Sequence, residues 1–105
     1  MSRYVHKKFS PDEQDRFLEY FCEVLQKLKS VKEKKYFLKD LLNRGERLMI
    51  ARRFKIAELL ERGTTYDEIA KSLQVSRGTI ARVEKLLNFG RDGYKNAINK
   101  INNKK

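Results

Sequence analysis

Residues 64–87 read "TTYDEIAKSLQVSRGTIARVEKLL", and the fold turns on this stretch. Thr65 is a good helix N-cap, and Glu68 can reach back to it three residues later in a capping box. That predicts a short helix over 66–73. Ser76 caps a second helix, predicted to run to about Leu86. Only Gln74, Val75 and Ser76 stand between them. So short a link forces the helices to cross steeply, which is helix-turn-helix geometry. Ile69, Ala70, Leu73, Val75, Ile80 and Val83 fall at inward positions. Ala70 matters most, because two helices this close leave little room for a larger side chain. The turn often carries glycine. Gln74 stands there instead and must take the left-handed conformation, at a modest cost.

The outward positions of the second helix are Ser76, Arg77, Gly78, Thr79, Arg82 and Lys85. In this motif the N-terminal part of the second helix meets base edges in the major groove. Arg77 suits guanine O6 and N7. Ser76, Thr79 and the helix N-terminus suit phosphate oxygens or base edges. Gly78 costs about 1 kcal/mol of helix stability, which close approach of backbone to DNA would justify. Thr64, Thr65 and Tyr66, at the start of the first helix, are candidate phosphate contacts. The plain alternative is a pair of packed helices in any helical protein, with Arg77 and Arg82 simply solvated.

The composition favours the first view. The chain has 105 residues, 37% of them charged, with a formal net charge of +11. That balance suits a polyanion, nucleic acid or anionic membrane. Hydrophobic residues at 40% make it globular rather than disordered. No apolar run approaches the roughly 20 residues of a membrane span, and no apolar segment near Met1 suggests a secretory leader. Cys22 is the only cysteine, so no internal disulfide can form, and a reducing cytoplasm is the expected compartment.

Upstream, residues 1–9 carry Arg3, His6, Lys7 and Lys8 and little that could pack, which reads as a mobile basic arm. "SPDE" then opens a helix: Ser10 caps, Pro11 suits the first position and Glu13 completes a capping box. Phe17, Phe21, Val24, Leu25 and Leu28 recur at helical spacing to about Leu28 or Lys29. Cys22 is read as a small packing residue. A break near Ser30 precedes a second helix with Val31, Tyr36, Phe37, Leu38, Leu41 and Leu42, whose "KEKK" forms a solvated face. Asn43 and Glu46 cap a third, carrying Leu48, Ile50, Ala51, Phe54, Ile56, Ala57, Leu59 and Leu60. Gly63 ends it in the left-handed conformation. A last helix is predicted over 92–101, with Tyr94, Ala97, Ile98 and Ile101 on one face. The expectation is an all-α chain of about six helices. It forms a single domain over 10–101 with its helix-turn-helix at 65–87, between the basic arm and a basic tail at 102–105.

The run "LLNRGERLMIARRFKIAELLERGTTYDEIAKSLQVSRGTIARVEKLL", residues 41–87, resembles the Trp repressor family, and within it the YerC/YecD-type branch. The resemblance implies an intertwined homodimer on a palindromic double-stranded operator. The wide aromatic stripes of Phe17, Tyr20, Phe21, Tyr36 and Phe37 agree, since exposed apolar patches often mark an interface. An ordinary monomeric core is the alternative. In the tryptophan-responsive member the amino acid lies between two arginines, which match Arg53 and Arg82. Its glycine after the second arginine is Val83 here, and its amine-contacting serine is Leu86. Those two side chains would fill the pocket and remove a polar anchor. No response to tryptophan is therefore expected, and Arg53 and Arg82 are left to contact phosphate or another small anion.

An enzyme is not expected. His6 is the only histidine and falls in the arm. No phosphate-cradling glycine loop or zinc-ligand cluster is present, no histidine–cysteine pair is credibly placed, and no cofactor is expected. The rival to a DNA-binding regulator is a protein-interaction or non-specific RNA-binding module, which would use the same basic surface and aromatic stripes.

Overall fold

A computed structural model of the chain describes residues 8–103. Among them lie six helices and no strand: α1 (Pro11–Lys27), α2 (Val31–Leu41), α3 (Arg44–Glu61), α4 (Tyr66–Leu73), α5 (Arg77–Phe89) and α6 (Gly93–Asn102). They group into two compact units, Met1–Leu42 and Asn43–Lys105.

In the first unit, α1 starts as the sequence predicts. Ser10 Oγ accepts from the Glu13 amide at 3.2 Å, and Glu13 Oε1 accepts from the Ser10 amide at 2.8 Å. Most of the expected arm lies outside the described residues. Phe9 does not behave as arm, because its ring meets Phe17 edge-on at 5.0 Å. A second capping box, between Ser30 and Glu33, opens α2. The "KEKK" segment is therefore more than a solvated face. Glu33 Oε1 also accepts from the Lys29 amide at 2.8 Å, and Lys34 Nζ donates to the Leu28 carbonyl at 2.6 Å. These bonds satisfy backbone groups that a helix end otherwise leaves unpaired.

Phe21 and Phe37 pack across the two helices at 5.8 Å. Neither helix contains a fully buried residue. Cys22 is exposed, so it is not the packing residue the sequence suggested. Phe17, Tyr20 and Tyr36 are also exposed in the single chain.

The second unit holds the core. Ile56 and Ala57 of α3, Ile69 of α4, Ile80, Val83 and Leu87 of α5 and Ile98 of α6 are buried. Each large side chain among them contributes about 1.5–3 kcal/mol relative to exposure. Phe54, Leu59, Leu60, Tyr66, Ala70, Leu73, Val75 and Tyr94 pack around them. Asn43 and Glu46 cap α3 reciprocally. Its far end closes through Gly63, at φ 86°. The Gly63 amide donates to the Leu60 carbonyl and the Thr64 amide to the Leu59 carbonyl, each at 3.0 Å. This is the paired closure that a left-handed residue makes available. The predicted third-helix stripe is only partly realised. Leu48 and Ile50, in the first half of α3, stay exposed. The last helix starts one residue later than predicted, after a left-handed Asp92, and reaches Asn102. Of its predicted face, Ile98 is buried and Tyr94 half-buried, while Ala97 and Ile101 are exposed.

Candidate nucleic-acid interface

The helix-turn-helix forms where the sequence placed it. Thr65 and Glu68 make the capping box of α4, at 3.2 and 3.3 Å. Gln74 takes the left-handed conformation at φ 58° and ψ 52°, which turns the chain within one residue. The Val75 amide then donates to the Ala70 carbonyl. Ala70 packs against the core, as its small size requires where the two helices approach closely. Helix α5 is longer than predicted, ending at Phe89 with Gly90 as its C-cap instead of near Leu86.

One face of α5 is therefore fixed inward by Ile80, Val83 and Leu87, and the other is free. Ser76, Arg77, Gly78, Arg82 and Lys85 are exposed, and Thr79 is half-buried. Ser76 Oγ accepts from the Thr79 amide at 3.1 Å and lies 3.0 Å from Thr79 Oγ1. Both hydroxyls are thus partly engaged at the helix start. Helices α1 to α4 each carry an acidic residue in the first turn, but α5 carries none. Its positive dipole end is left uncompensated by its own first turn, a setting that favours an external anion. A Cβ on Gly78 would have 3.8 Å to its nearest neighbour, so no crowding within the chain demands glycine there.

The residues at the start of α4 divide. Thr64 is half-buried and gives its amide to the Leu59 carbonyl, and Thr65 is exposed but caps the helix. Tyr66 is half-buried. Its hydroxyl donates to Glu84 Oε1 at 2.5 Å, and its ring lies 5.4 Å from the Arg77 guanidinium. The hydrogen bond to Glu84 holds the phenol above its ordinary range, burial adds to this, and nearby Arg77 pulls the other way. Arg77 also pairs with Asp67 through Nη1. Sequence reasoning singled out neither Asp67 nor Glu84 for this role. Each pair spans the turn at Gln74 and joins two different helices, so no repeat within one helix links Asp67 to Arg77 or Tyr66 to Glu84.

The structure brings Arg53 and Arg82 to one cleft of about 290 Å³, lined also by Ser76, Gly78, Thr79 and Val83. An adjoining hollow of about 250 Å³ adds Gln74 and Val75 of the turn together with Gly45, Met49 and Arg52, three residues the sequence did not single out. Gly45, Met49, Arg52 and Arg53 recur at helical spacing along α3, which was the available signal. Val83 borders the arginine cleft and is 2% exposed. Leu86 does not fill this cleft. It lines a separate apolar hollow with Phe54, Tyr94 and Ala97. Among the described residues no group of histidine, cysteine or carboxylate side chains could hold a metal ion, and no helix is long and apolar enough to cross a membrane.

Known proteins are similar to this chain in sequence and fold. Residues 16–102 match the family described as Trp repressor protein. YerC of Bacillus subtilis, a protein of uncharacterised function, is 35% identical over 74 residues, spanning 70% of this chain and 71% of YerC. The crystal structure of a TrpR-like protein from Eubacterium eligens gives a TM-score of 0.79 at 31% identity, covering 84% of this chain and 91% of that one. A structure from Staphylococcus aureus, whose name places it among the Trp repressors, also gives 0.79, at 25% identity and 96% coverage of both chains. With its six helices and helix-turn-helix, the chain belongs to the Trp repressor family.

Proposed function

We propose that this protein is a sequence-specific transcriptional regulator of repressor type that lays α5 into the major groove of double-stranded DNA. The observation that carries this reading is the division of α5: Ile80, Val83 and Leu87 are buried, while Ser76, Arg77, Gly78, Arg82 and Lys85 face solvent on a chain of net charge +11. Arg77 is the candidate base reader. Ser76, Thr79, Arg82, Lys85 and the start of α5 are the candidate phosphate contacts, with Thr64 and Thr65 beside them on α4. Membership of a regulatory family argues against catalysis.

The working form in this reading is a homodimer. Phe17, Tyr20, Tyr36, Leu48, Met49, Ile50 and Phe89 are exposed large apolar side chains in the single chain, more than a small monomer ordinarily leaves to water. Two-fold symmetry would set two copies of α5 about 34 Å apart, matching a palindromic operator. Arg53 and Arg82 supply an anion-binding cleft, and Val83 on its wall argues against tryptophan as its occupant. The setting is the cytoplasm, where a bacterial operator lies.

Selection of bound duplexes from a random pool, with the mass in solution measured alongside, tests this. A palindromic duplex should be preferred by several orders of magnitude over its scrambled form at matched salt. Arg77→Ala should erode that preference. Lys85→Ala should weaken both duplexes alike and reduce the salt slope by about one. A preference for RNA, or equal affinity for every duplex, would exclude the operator reading.

A further inference from the structure

We propose that Tyr66 and Asp67 are positioning residues for Arg77, holding its guanidinium ready for a guanine edge. The inference rests on the reading of α5 as the DNA-reading helix.

Four side chains form a path across the helix crossing. Glu84 on α5 accepts from the Tyr66 hydroxyl at 2.5 Å, which fixes the ring at the start of α4. That ring lies 5.4 Å from the Arg77 guanidinium, back on α5. Asp67, next to Tyr66, takes Arg77 Nη1. The arginine is thus held against a ring and anchored at one nitrogen. A single contact would leave a long side chain free to sample rotamers, whereas this pair of contacts selects one arrangement. The pair with Asp67 occupies Nη1 and leaves the Nε–Nη2 edge, with two parallel N–H donors, for bidentate recognition of guanine O6 and N7.

Fold stability does not explain the arrangement. The Arg77 and Asp67 side chains are 63% and 85% exposed, and an ion pair so open to water contributes little to folding. Preorganisation does explain it, because a side chain ordered before binding has less freedom to lose on the duplex. Asp67 could act oppositely, as a carboxylate that repels phosphate and competes for Arg77. A competitor needs only its charge. The ring held by Glu84 has no part in competition but is what a positioning device requires.

The test uses the full chain, its selected duplex and the scrambled duplex at matched salt. Asp67→Asn should lower the affinity ratio between them about threefold to tenfold, with the thermal midpoint lowered by no more than a few degrees through the lost first-turn charge. In an Arg77→Ala background the same change should leave the ratio where it is. In the free protein, relaxation of the Arg77 Nε–H resonance should show greater mobility in Asp67→Asn. A ratio indifferent to Asp67, an equal gain on both duplexes, or an equal loss in the Arg77→Ala background would each overturn the inference while leaving the operator reading intact. A wild-type chain with no preferred duplex would overturn both.

Discussion

The Tyr66 hydroxyl donates to Glu84 at 2.5 Å, joining the first turn of α4 to α5 across eighteen residues of sequence. It ties together the helices whose crossing angle aims Arg77. The core beneath them, Ile69 against Ile80 and Val83, sets how closely they approach. The bond sits above that core and limits rotation of one helix over the other.

Tyr66 should release its proton above the ordinary phenol range, since the hydrogen bond to Glu84 and burial both raise its value. Its folded value lies above the unfolded one. The stability it adds is therefore complete below the ordinary phenol range and is lost as pH climbs through the raised value. Ultraviolet titration should show a late component that Tyr66→Phe removes. The stability difference between Tyr66→Phe and wild type should be full at pH 7 and should shrink in strong alkali.

Gln74→Gly should stabilise the fold slightly. The left-handed conformation at φ 58° costs a side-chain-bearing residue roughly 1–2 kcal/mol. Glycine avoids that cost but gives up about 0.5–1 kcal/mol through a freer unfolded chain. The balance is a gain of about 0.5 kcal/mol, read as a higher denaturation midpoint. A lower midpoint would show that the glutamine side chain itself holds the turn.

Gly78→Ala should separate stability from binding. The added methyl meets ordinary contact at 3.8 Å, so α5 should gain about 1 kcal/mol in helix preference. Affinity for the selected duplex should fall if backbone approaches DNA there. A variant both more stable and equally tight in binding would place Gly78 away from the duplex.

Gly90→Ala should destabilise the end of α5. Its Cβ would lie 2.4 Å from the Leu86 carbonyl oxygen, a backbone atom that cannot swing aside. Relief by backbone movement should cost about 1–3 kcal/mol in chemical denaturation. Gly93→Ala, where nothing lies within 4 Å, is the matched control and should change little by crowding.

Ile80→Ala should lose about 2–5 kcal/mol, because its side chain is 0% exposed and its removal leaves a void shared by α4 and α5. Thermal or urea unfolding would measure it. A loss below 1 kcal/mol would mean that the crossing collapses to fill the space.

The sequence by itself determined the helix starts, the turn and the family. Ser10 with Glu13, Asn43 with Glu46, and Thr65 with Glu68 each close their bonds within four consecutive residues, and Gly63 ends α3 just as locally. A motif that closes within a helical turn is spelled by neighbours, so it can be read without a fold. The Ser30–Glu33 box was spelled in the same way but hidden by the charges around it. Only the tertiary structure decided which distant side chains meet. It brought Arg77 to Asp67, Tyr66 to Glu84 and Arg53 to the cleft of Arg82, and it turned Leu86 away from that cleft. Those meetings depend on the angle and rotation at which α3, α4 and α5 pack, and that geometry comes from the fit of Ile56, Ile69, Ile80 and Val83 together, which no single stretch of sequence states.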